Sequence, residues 1–353
     1  MDQKKDIMSM TLPELREFVT SMGESAFRAK QLMKWMHSGT PIEEMTNLSK
    51  DFRRRLAEEA DYRLPKIEDK FVSEIDGTVK YLFSLNDGEC VESVLMKYEH
   101  GNTLCVSSQA GCRMGCKFCA STLSGKARDL TPSEILGQVA LASRDSGERV
   151  DGIVMMGIGE PLDNYDNVIR FLQLVGDADG LGIGMRHISL STCGVVPGII
   201  KLADEGIPIT LSVSLHAYDD EKRREIMPIA RKYSISELLS ACRYYFDKTG
   251  RRVSFEYTLI SGKNDSMEDA AGLAKLLRRG MGVPCHVNLI MLNEVDETGL
   301  RTVDRRSAAK FADELIRLGQ NATVRRRLGS DIDASCGQLR LRRNRAIEEN
   351  SSK

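Results

Sequence analysis

Apolar residues recur at helical spacing along the first sixty residues of the chain. The stretch TLPELREFVTSMG begins with Thr11 and Pro13, which favour a helix start, and it ends at Gly23. A second stretch, AFRAKQLMKWMHSG, repeats the spacing. The pattern predicts a small helical module over residues 1–60.

The pattern changes to short β-rich stretches over residues 61–98. Asp-Gly pairs at Asp76-Gly77 and Asp87-Gly88 separate these stretches, and such pairs between apolar runs are the strongest short hairpin signal. We therefore expect a small antiparallel sheet that connects the helical module to the rest of the chain.

From residue 99 onward, apolar stretches of strand length alternate with amphipathic stretches of helix length. This alternation is typical of α/β folds, and it predicts a barrel-like parallel sheet of about six or seven strands over residues 99–345, with a flexible tail over 346–353. Active sites of such folds lie at the carboxyl ends of the strands. Capping boxes mark predicted helix starts at Thr131 with Glu134, Ser234 with Glu237, and Asp265 with Glu268.

Composition limits what the chain does. It has 353 residues and a formal net charge of -1, which argues against a protein that coats nucleic acid, so any RNA contact is expected to be local. No stretch reaches the roughly 20 apolar residues of a transmembrane helix, and the start lacks an apolar signal core. We expect a cytoplasmic protein without membrane contact, in which nine cysteines indicate metal or thiol chemistry rather than disulfides.

Cys112, Cys116 and Cys119 lie close together in the segment GCRMGCKFCA, in a loop after the first predicted strand of the parallel sheet. Three thiolates this close can converge on one inorganic centre. A four-iron cluster normally takes four cysteines, so a cluster held by three leaves one iron open to another ligand. The alternative is zinc, with Cys105 as a fourth ligand, although no second cysteine pair at the usual zinc spacing appears.

Small and polar residues follow several of the predicted strands. In MGIGEP, Gly159 lets a ligand approach the backbone, and Glu160 can accept a hydrogen bond from an ammonium group. The candidates for ribose and adenine contacts are Ser191, Ser214, Leu215, His216 and Asn293. Each of these five residues could instead cap a helix or close a turn. For His216 we favour hydrogen bonding to a cofactor or a neighbouring loop over a role as a base.

Two further cysteines are expected near the mouth of the barrel. Cys105 lies at a predicted strand end, and Cys336 lies in GSDIDASCGQLR, a segment typical of a loop. Either could instead be a small buried apolar residue. Residues 321–345 around Cys336 carry seven arginines against two aspartates, which favours local RNA binding. A second basic group, on a predicted helix, consists of Arg28, Lys30 and Lys34.

The spacing of the three clustered cysteines, with Phe118 before the last, resembles the radical S-adenosylmethionine (SAM) superfamily. This resemblance implies a partial barrel of six β/α units and one [4Fe-4S] cluster on Cys112, Cys116 and Cys119. It also implies that SAM binds at the open iron and yields a 5′-deoxyadenosyl radical after one-electron reduction. The position of Gly159 and Glu160 matches the superfamily's amino-binding motif.

Residues 91–340, from VESVLMKY through CGQLR, resemble the RlmN family of adenine C2 RNA methyltransferases, and the helical module fits that family too. The resemblance implies that Cys336 accepts a methyl group from one SAM and that a radical from a second SAM activates this methyl for addition to adenine. It implies that Cys105 then releases the product through a transient disulfide. Glu92 matches the family's acid/base residue.

The same resemblance implies the RNA partners. They are a specific adenosine of 23S rRNA near the peptidyl transferase centre and, in some members, the adenosine just 3′ of the tRNA anticodon. The target adenine must leave its stack to enter a barrel. We also expect a low-potential electron donor such as flavodoxin or ferredoxin, and a monomeric protein.

Two alternatives remain open from the sequence. The first is the related adenine C8 methyltransferase that confers resistance to ribosome-directed antibiotics. The segment GNTLCVSSQAGCRMGCKFCASTL favours C2, because the C8 enzymes tend to depart from CAST after the last cluster cysteine. The second alternative is a non-catalytic, zinc-stabilised RNA-binding module, which would lack iron and labile sulfide.

Overall fold

A computed structural model describes residues 4–332 together with Ala334, Gly337, Leu339, Arg340 and Arg343. The predicted helical module is present at the N-terminus. Its apolar faces bury Leu15, Phe18 and Leu32, and the Thr11 main-chain N–H donates to the Glu14 carboxylate at 2.7 Å, as a capping box requires. Its elements are β1 (Lys5–Asp6), α1 (Leu12–Ser21), α2 (Arg28–His37), α3 (Lys50–Glu59) and β2 (Ala60–Asp61), with β1 and β2 paired in parallel.

The predicted hairpins form over β3 (Lys66–Val72), β4 (Val79–Ser84) and β5 (Cys90–Tyr98), which are antiparallel. Gly77 and Gly88 of the two Asp-Gly pairs have φ of 68° and 88°, a region that favours glycine. These strands do not form a sheet of their own. β5 also pairs with β6 (Gly101–Cys105), so the hairpins extend the main sheet.

The parallel part of the sheet has seven strands, counted over the described residues, where the sequence predicts about six or seven. A separate two-stranded ladder of β7 (Gln109–Gly111) and β8 (Lys126–Asp129) flanks the cysteine segment. The remaining strands are β9 (Gly152–Met155), β10 (Ile188–Thr192), β11 (Thr210–Ser214), β12 (Ser254–Leu259), β13 (His286–Met291) and β14 (Asn321–Val324). The strand order in the main sheet is β14-β13-β12-β11-β10-β9-β6-β5-β4-β3, so this sheet ends at β14 and β3.

Helices connect these strands. Two of the predicted capping boxes are confirmed, at Thr131 and Ser234. The third is shifted by one residue: Ser266 pairs with Asp269, because Asp265 instead accepts from the Gly262 N–H and closes the preceding turn. The helices are α4 (Pro132–Ser146), α5 (Tyr165–Val175), α6 (Val196–Asp204), α7 (Asp220–Ile226), α8 (Ile235–Thr249), α9 (Met267–Met281) and α10 (Arg305–Arg317).

The two faces of the parallel strands differ in polarity. Residues such as Leu190, Leu211 and Phe255 are fully buried in the core shared with the helices. The alternate residues are polar: Asn288 donates to the Glu256 carboxylate at 2.7 Å across the other face. The inner face of the sheet can therefore bind a polar ligand. Among the described residues, none of the helices is both long and apolar enough to span a bilayer.

Candidate active site at the carboxyl ends of the strands

The three clustered cysteines lie in the loop between β7 and β8. The loop is closed at its base, because the Cys112 N–H donates to the Gly125 carbonyl at 3.1 Å. Its middle is held by α7, since the Lys117 N–H donates to the Ile226 carbonyl at 2.9 Å. Cys112 and Cys116 are buried and Cys119 is half-buried. The fold thus holds the three cysteines in one short, fixed loop.

The environment of the thiols fits an iron–sulfur cluster. Burial, together with the neighbouring Cys119 thiol, raises the pKa of Cys112 to about 12. Burial also raises the pKa of Cys116, as do Cys119 and Cys112, so the three sulfurs act on one another. No three His, Cys, Asp or Glu side chains of the described residues lie close enough to hold a single metal ion. In a four-iron cluster each cysteine binds a different iron, so its thiolates stand at separate corners.

Gly159 and Glu160 follow β9, as the sequence predicts. Gly159 has a φ of 112°, and a Cβ there would lie 2.7 Å from the Gln109 Cβ, so only glycine fits. The buried Glu160 carboxylate accepts from the main-chain N–H of Cys193 at 2.7 Å and of Leu162 at 3.0 Å. Glu160 therefore ties the turn after β9 to the end of β10.

The other predicted cofactor contacts differ in what they expose. Ser191 is the second-to-last residue of β10, Ser214 is the last residue of β11, and both are half-buried. Leu215 is fully buried, and its side chain belongs to the main core, so only its main chain could face a cofactor. Asn293 lines a cavity of about 250 Å³ just beyond β13.

His216 connects three parts of the site. Its Nδ1 accepts from the Thr258 main-chain N–H at 2.9 Å, and its ring meets the Phe118 ring edge-to-face with centroids 4.7 Å apart. Burial lowers the pKa of His216 to about 3, so the ring is neutral and carries its proton on Nε2. Its φ of 57° is unusual for a residue other than glycine. These contacts link β11, β12 and the cysteine loop.

Cys105 is the last residue of β6, and its buried side chain lines the same cavity as Asn293. The cavity therefore brings a predicted thiol and a predicted cofactor contact together at the barrel mouth. Cys336 lies outside the described residues. The cavity is lined by Val94, Met96, Cys105, Met156, Ile290, Met291, Asn293, Arg325, Arg326, Arg327, Leu328, Gly329 and Ala334.

Glu92, the predicted acid/base residue, is fully buried in β5 and does not line this cavity. Its Oε2 lies 3.0 Å from Lys80 Nζ, and Lys80 is also fully buried. The Glu92 carboxylate accepts from the main-chain N–H of Gly337 at 3.1 Å and of Arg340 at 2.8 Å. Glu92 thus contacts the segment that follows Cys336.

Sequence reasoning missed three residues of the site: Gln109, Asp163 and Arg223. Gln109, in β7, accepts from the Glu160 N–H at 2.8 Å and donates to Asp163 at 2.9 Å, which joins the turn after β9 to the strand that leads into the cysteine loop. Arg223 is fully buried, and its Nη2 donates to the Cys193 carbonyl at 2.8 Å. Within the described part of the chain, Arg223 Nη1 has no hydrogen-bond partner. A charged helix segment such as DDEKRREI normally indicates a solvated face.

The basic groups are distributed unevenly around the site. Arg325 is half-buried in the cavity wall, and its Nη1 lies 3.5 Å from Met156 Sδ, whereas Arg326 and Arg327 are exposed at the rim. In the helical module, Lys30 forms an ion pair with Asp179 at 2.9 Å, and Arg28 donates to the Asn47 carbonyl. Lys34 is exposed. Arg342 and Arg345 lie outside the described residues.

Comparisons with known proteins match this arrangement. Residues 106–274 match the radical SAM superfamily, and residues 5–61 match the ribosomal RNA large subunit methyltransferase N-terminal domain. The chain is 52% identical over 337 residues, 95% of its length and 96% of the relative's, to a probable dual-specificity RNA methyltransferase RlmN of Clostridium botulinum. A Clostridium perfringens protein of the same description is 53% identical over 338 residues, with the same shares covered.

A solved structure matches the whole fold. It is a radical SAM methyltransferase from Sphaerobacter thermophilus, with a TM-score of 0.90 and 40% sequence identity. The match covers 95% of this chain and 98% of that one. The antiparallel extension, the parallel sheet and the helical module are therefore shared as one architecture.

Proposed function

Because this chain belongs to the RlmN family of radical SAM RNA methyltransferases, we propose that it methylates C2 of a specific adenosine in 23S rRNA and of the adenosine 3′ to the tRNA anticodon. The match over nearly the whole chain carries this proposal. Cys105 in the cavity wall supports it, because the reaction needs a second thiol at the barrel mouth.

C2 of adenine is neither nucleophilic nor acidic, so ordinary polar methyl transfer cannot occur there. When bound, the cluster and SAM supply the methyl group and a carbon-centred radical. The thiolates of Cys112, Cys116 and Cys119 would hold the cluster. The turn of Gly159 and Glu160 after β9, with the ends of β10 and β11, would hold SAM. Electrons would come from a small low-potential carrier, and the exposed Arg326 and Arg327 would contact RNA phosphates.

The remaining steps fall to three side chains. Cys336 carries the methyl group and becomes joined to adenine C2 through a methylene. The adduct then gives its unpaired electron to the low-potential carrier and its C2 proton to the Glu92 carboxylate, which becomes a carboxylic acid. The Cys105 thiolate attacks the Cys336 sulfur, so that an S–S bond forms, the bond from that sulfur to the methylene breaks, and its electron pair goes to the methylene carbon. This carbon takes the proton back from the Glu92 carboxylic acid and becomes the methyl group. A dithiol reductant restores both thiols.

Nucleoside mass spectrometry tests the proposal. Ribosomal RNA and tRNA are purified separately from a strain that lacks the gene and from the same strain carrying it. We expect 2-methyladenosine in both RNA fractions of the complemented strain and in neither fraction of the deletion strain. Finding 8-methyladenosine instead would assign the alternative regiochemistry, and unchanged RNA would refute the function.

A further inference from the structure

The segment that carries Cys336 is tied to the antiparallel strands on both sides of this cysteine. Upstream, the Gly329 N–H donates to the Asp76 carboxylate at 3.0 Å, and Asp331 accepts from the Ser73 hydroxyl at 2.7 Å. Downstream, Arg343 pairs with Glu68 at 2.8 Å. The extension formed by β3, β4 and β5 is therefore the surface on which this segment docks.

The innermost of these ties is the ion pair of Lys80 and Glu92. Both side chains are 0% exposed, and the Nζ–Oε2 distance is 3.0 Å. A buried pair gains little stability over apolar side chains of similar volume, because removing both charges from water is costly. The carboxylate of this pair does bind the Cys336 segment: Glu92 accepts hydrogen bonds from the main-chain N–H groups of Gly337 and Arg340, which follow Cys336 by one and four residues.

The docked segment also packs against the cysteine loop. Gly337 has a φ of 85°, and a Cβ there would lie 2.6 Å from the Ser121 hydroxyl, two residues after Cys119. The Glu92 anchor thus holds the residue next to Cys336 against the loop that carries the cluster ligands. No adenine can reach the fully buried Glu92 in this arrangement.

We propose that Lys80 is a positioning residue, which fixes Glu92 as an anchor for the Cys336 segment, and that Glu92 becomes available as a base only after the segment leaves this anchor. The inference rests on the proposed function for the role of Cys336. Methyl loading of Cys336 belongs to the docked form, in which Gly337 packs against the cysteine loop. With the segment released, the carboxylate that held it faces the substrate.

Hydrogen exchange of the cluster-loaded protein tests the anchor directly. In Lys80→Met, we expect the peptide spanning 337–340 to exchange about tenfold faster than in the wild type, the factor for loss of one charge-assisted hydrogen bond. Peptides from β10 and β11 should keep their rates. Lys97→Met is the matched control, because Lys97 lies on the neighbouring strand β5 and its pair with Glu148 is solvent-exposed.

A double variant separates loss of the anchor from loss of folding. In Lys80→Met/Glu92→Met both buried charges are replaced by apolar side chains, a change that buried pairs often tolerate. This variant should keep the exchange rates of the barrel and still release the 337–340 peptide. Even where Lys80→Met alone fails to fold, the double variant shows whether removal of the anchor releases the 337–340 peptide.

One chemical readout follows the exchange measurement. Methylation of Cys336, measured by peptide mass, should fall at least tenfold in both variants and stay within twofold of the wild type in Lys97→Met. If the 337–340 peptide exchanges as it does in Lys97→Met, the anchor is refuted. If the wild type forms no methylcysteine, the proposed function fails, and the exchange rates alone still decide whether Lys80 and Glu92 anchor the segment.

Discussion

Gly111 immediately precedes the first cluster cysteine, and we expect Gly111→Ala to open the cysteine loop. A Cβ at this position would lie 1.9 Å from the Gly125 carbonyl oxygen. Real Cβ atoms essentially never come within 3.0 Å of such an atom, so the two ends of the loop must separate by more than an ångström. The bond from the Cys112 N–H to the Gly125 carbonyl is then lost.

The loss of folding stability in Gly111→Ala can be worked out by comparison with Gly125→Ala, because Gly125 lies at the other end of the same loop. Gly111 has a φ of 80° and Gly125 a φ of 66°, so alanine meets similar backbone strain at both, on the order of 1–2 kcal/mol. A Cβ at Gly125 has no atom within 4 Å. Gly111→Ala adds the clash and a lost hydrogen bond, for a further loss of roughly 2–3 kcal/mol.

Urea titration followed by circular dichroism measures this difference, and iron and sulfide per chain measure the consequence for the site. We expect Gly125→Ala to keep nearly all of its iron and Gly111→Ala to lose most of it, because Cys112 moves with the loop. Equal unfolding free energies and equal iron contents in the two variants would show that the loop is not closed at Gly111 in solution.

Three further predictions concern the thiols and the helical module. Replacing Cys112, Cys116 or Cys119 by Ala should abolish cluster binding, and full iron content with SAM cleavage in Cys116→Ala would remove the cluster assignment. Cys105→Ala should accumulate an adenosine adduct on the peptide bearing Cys336, whereas Cys336→Ala should show neither methylcysteine nor adduct; normal turnover in Cys105→Ala would contradict its resolving role. Burial lowers the pKa of His37 from 6.5 to about 4, so the free energy of unfolding decreases as pH falls through this range, by about 2 kcal/mol at pH 5. In His37→Gln, the decrease between pH 7 and pH 5 should be smaller by this amount. An unchanged decrease would mean that His37 is solvated.

Local signals in the sequence predicted much of the fold. Asp-Gly pairs placed the hairpins, and capping residues placed the helix starts after Thr11, Thr131 and Ser234, because both act through neighbouring backbone groups. The pairing of β5 with β6 could not be predicted in the same way. Whether two strands join one sheet depends on contacts between distant segments, and the pattern within each strand is the same in either case.

The residues of the candidate site also differ in whether local signals predict them. The cysteine loop and Gly159 could be placed from their own residues, whereas the partners of Glu92 could not. Lys80 shares a largely apolar strand, VKYLFS, with residues of the core, and a lysine in that position is itself a signal of a buried partner. Its partner becomes evident only when β4 and β5 are paired.

The contact between Gly337 and Glu92 joins residues 245 positions apart, which has a consequence for the order in which the protein is assembled. Synthesis proceeds from the N-terminus, so the barrel strands and the cysteine loop emerge before the segment that packs on Ser121. Gly337 is therefore not yet packed on the cysteine loop while the barrel is being synthesised. We expect a chain that ends at Leu328 to bind iron faster than the full-length apoprotein.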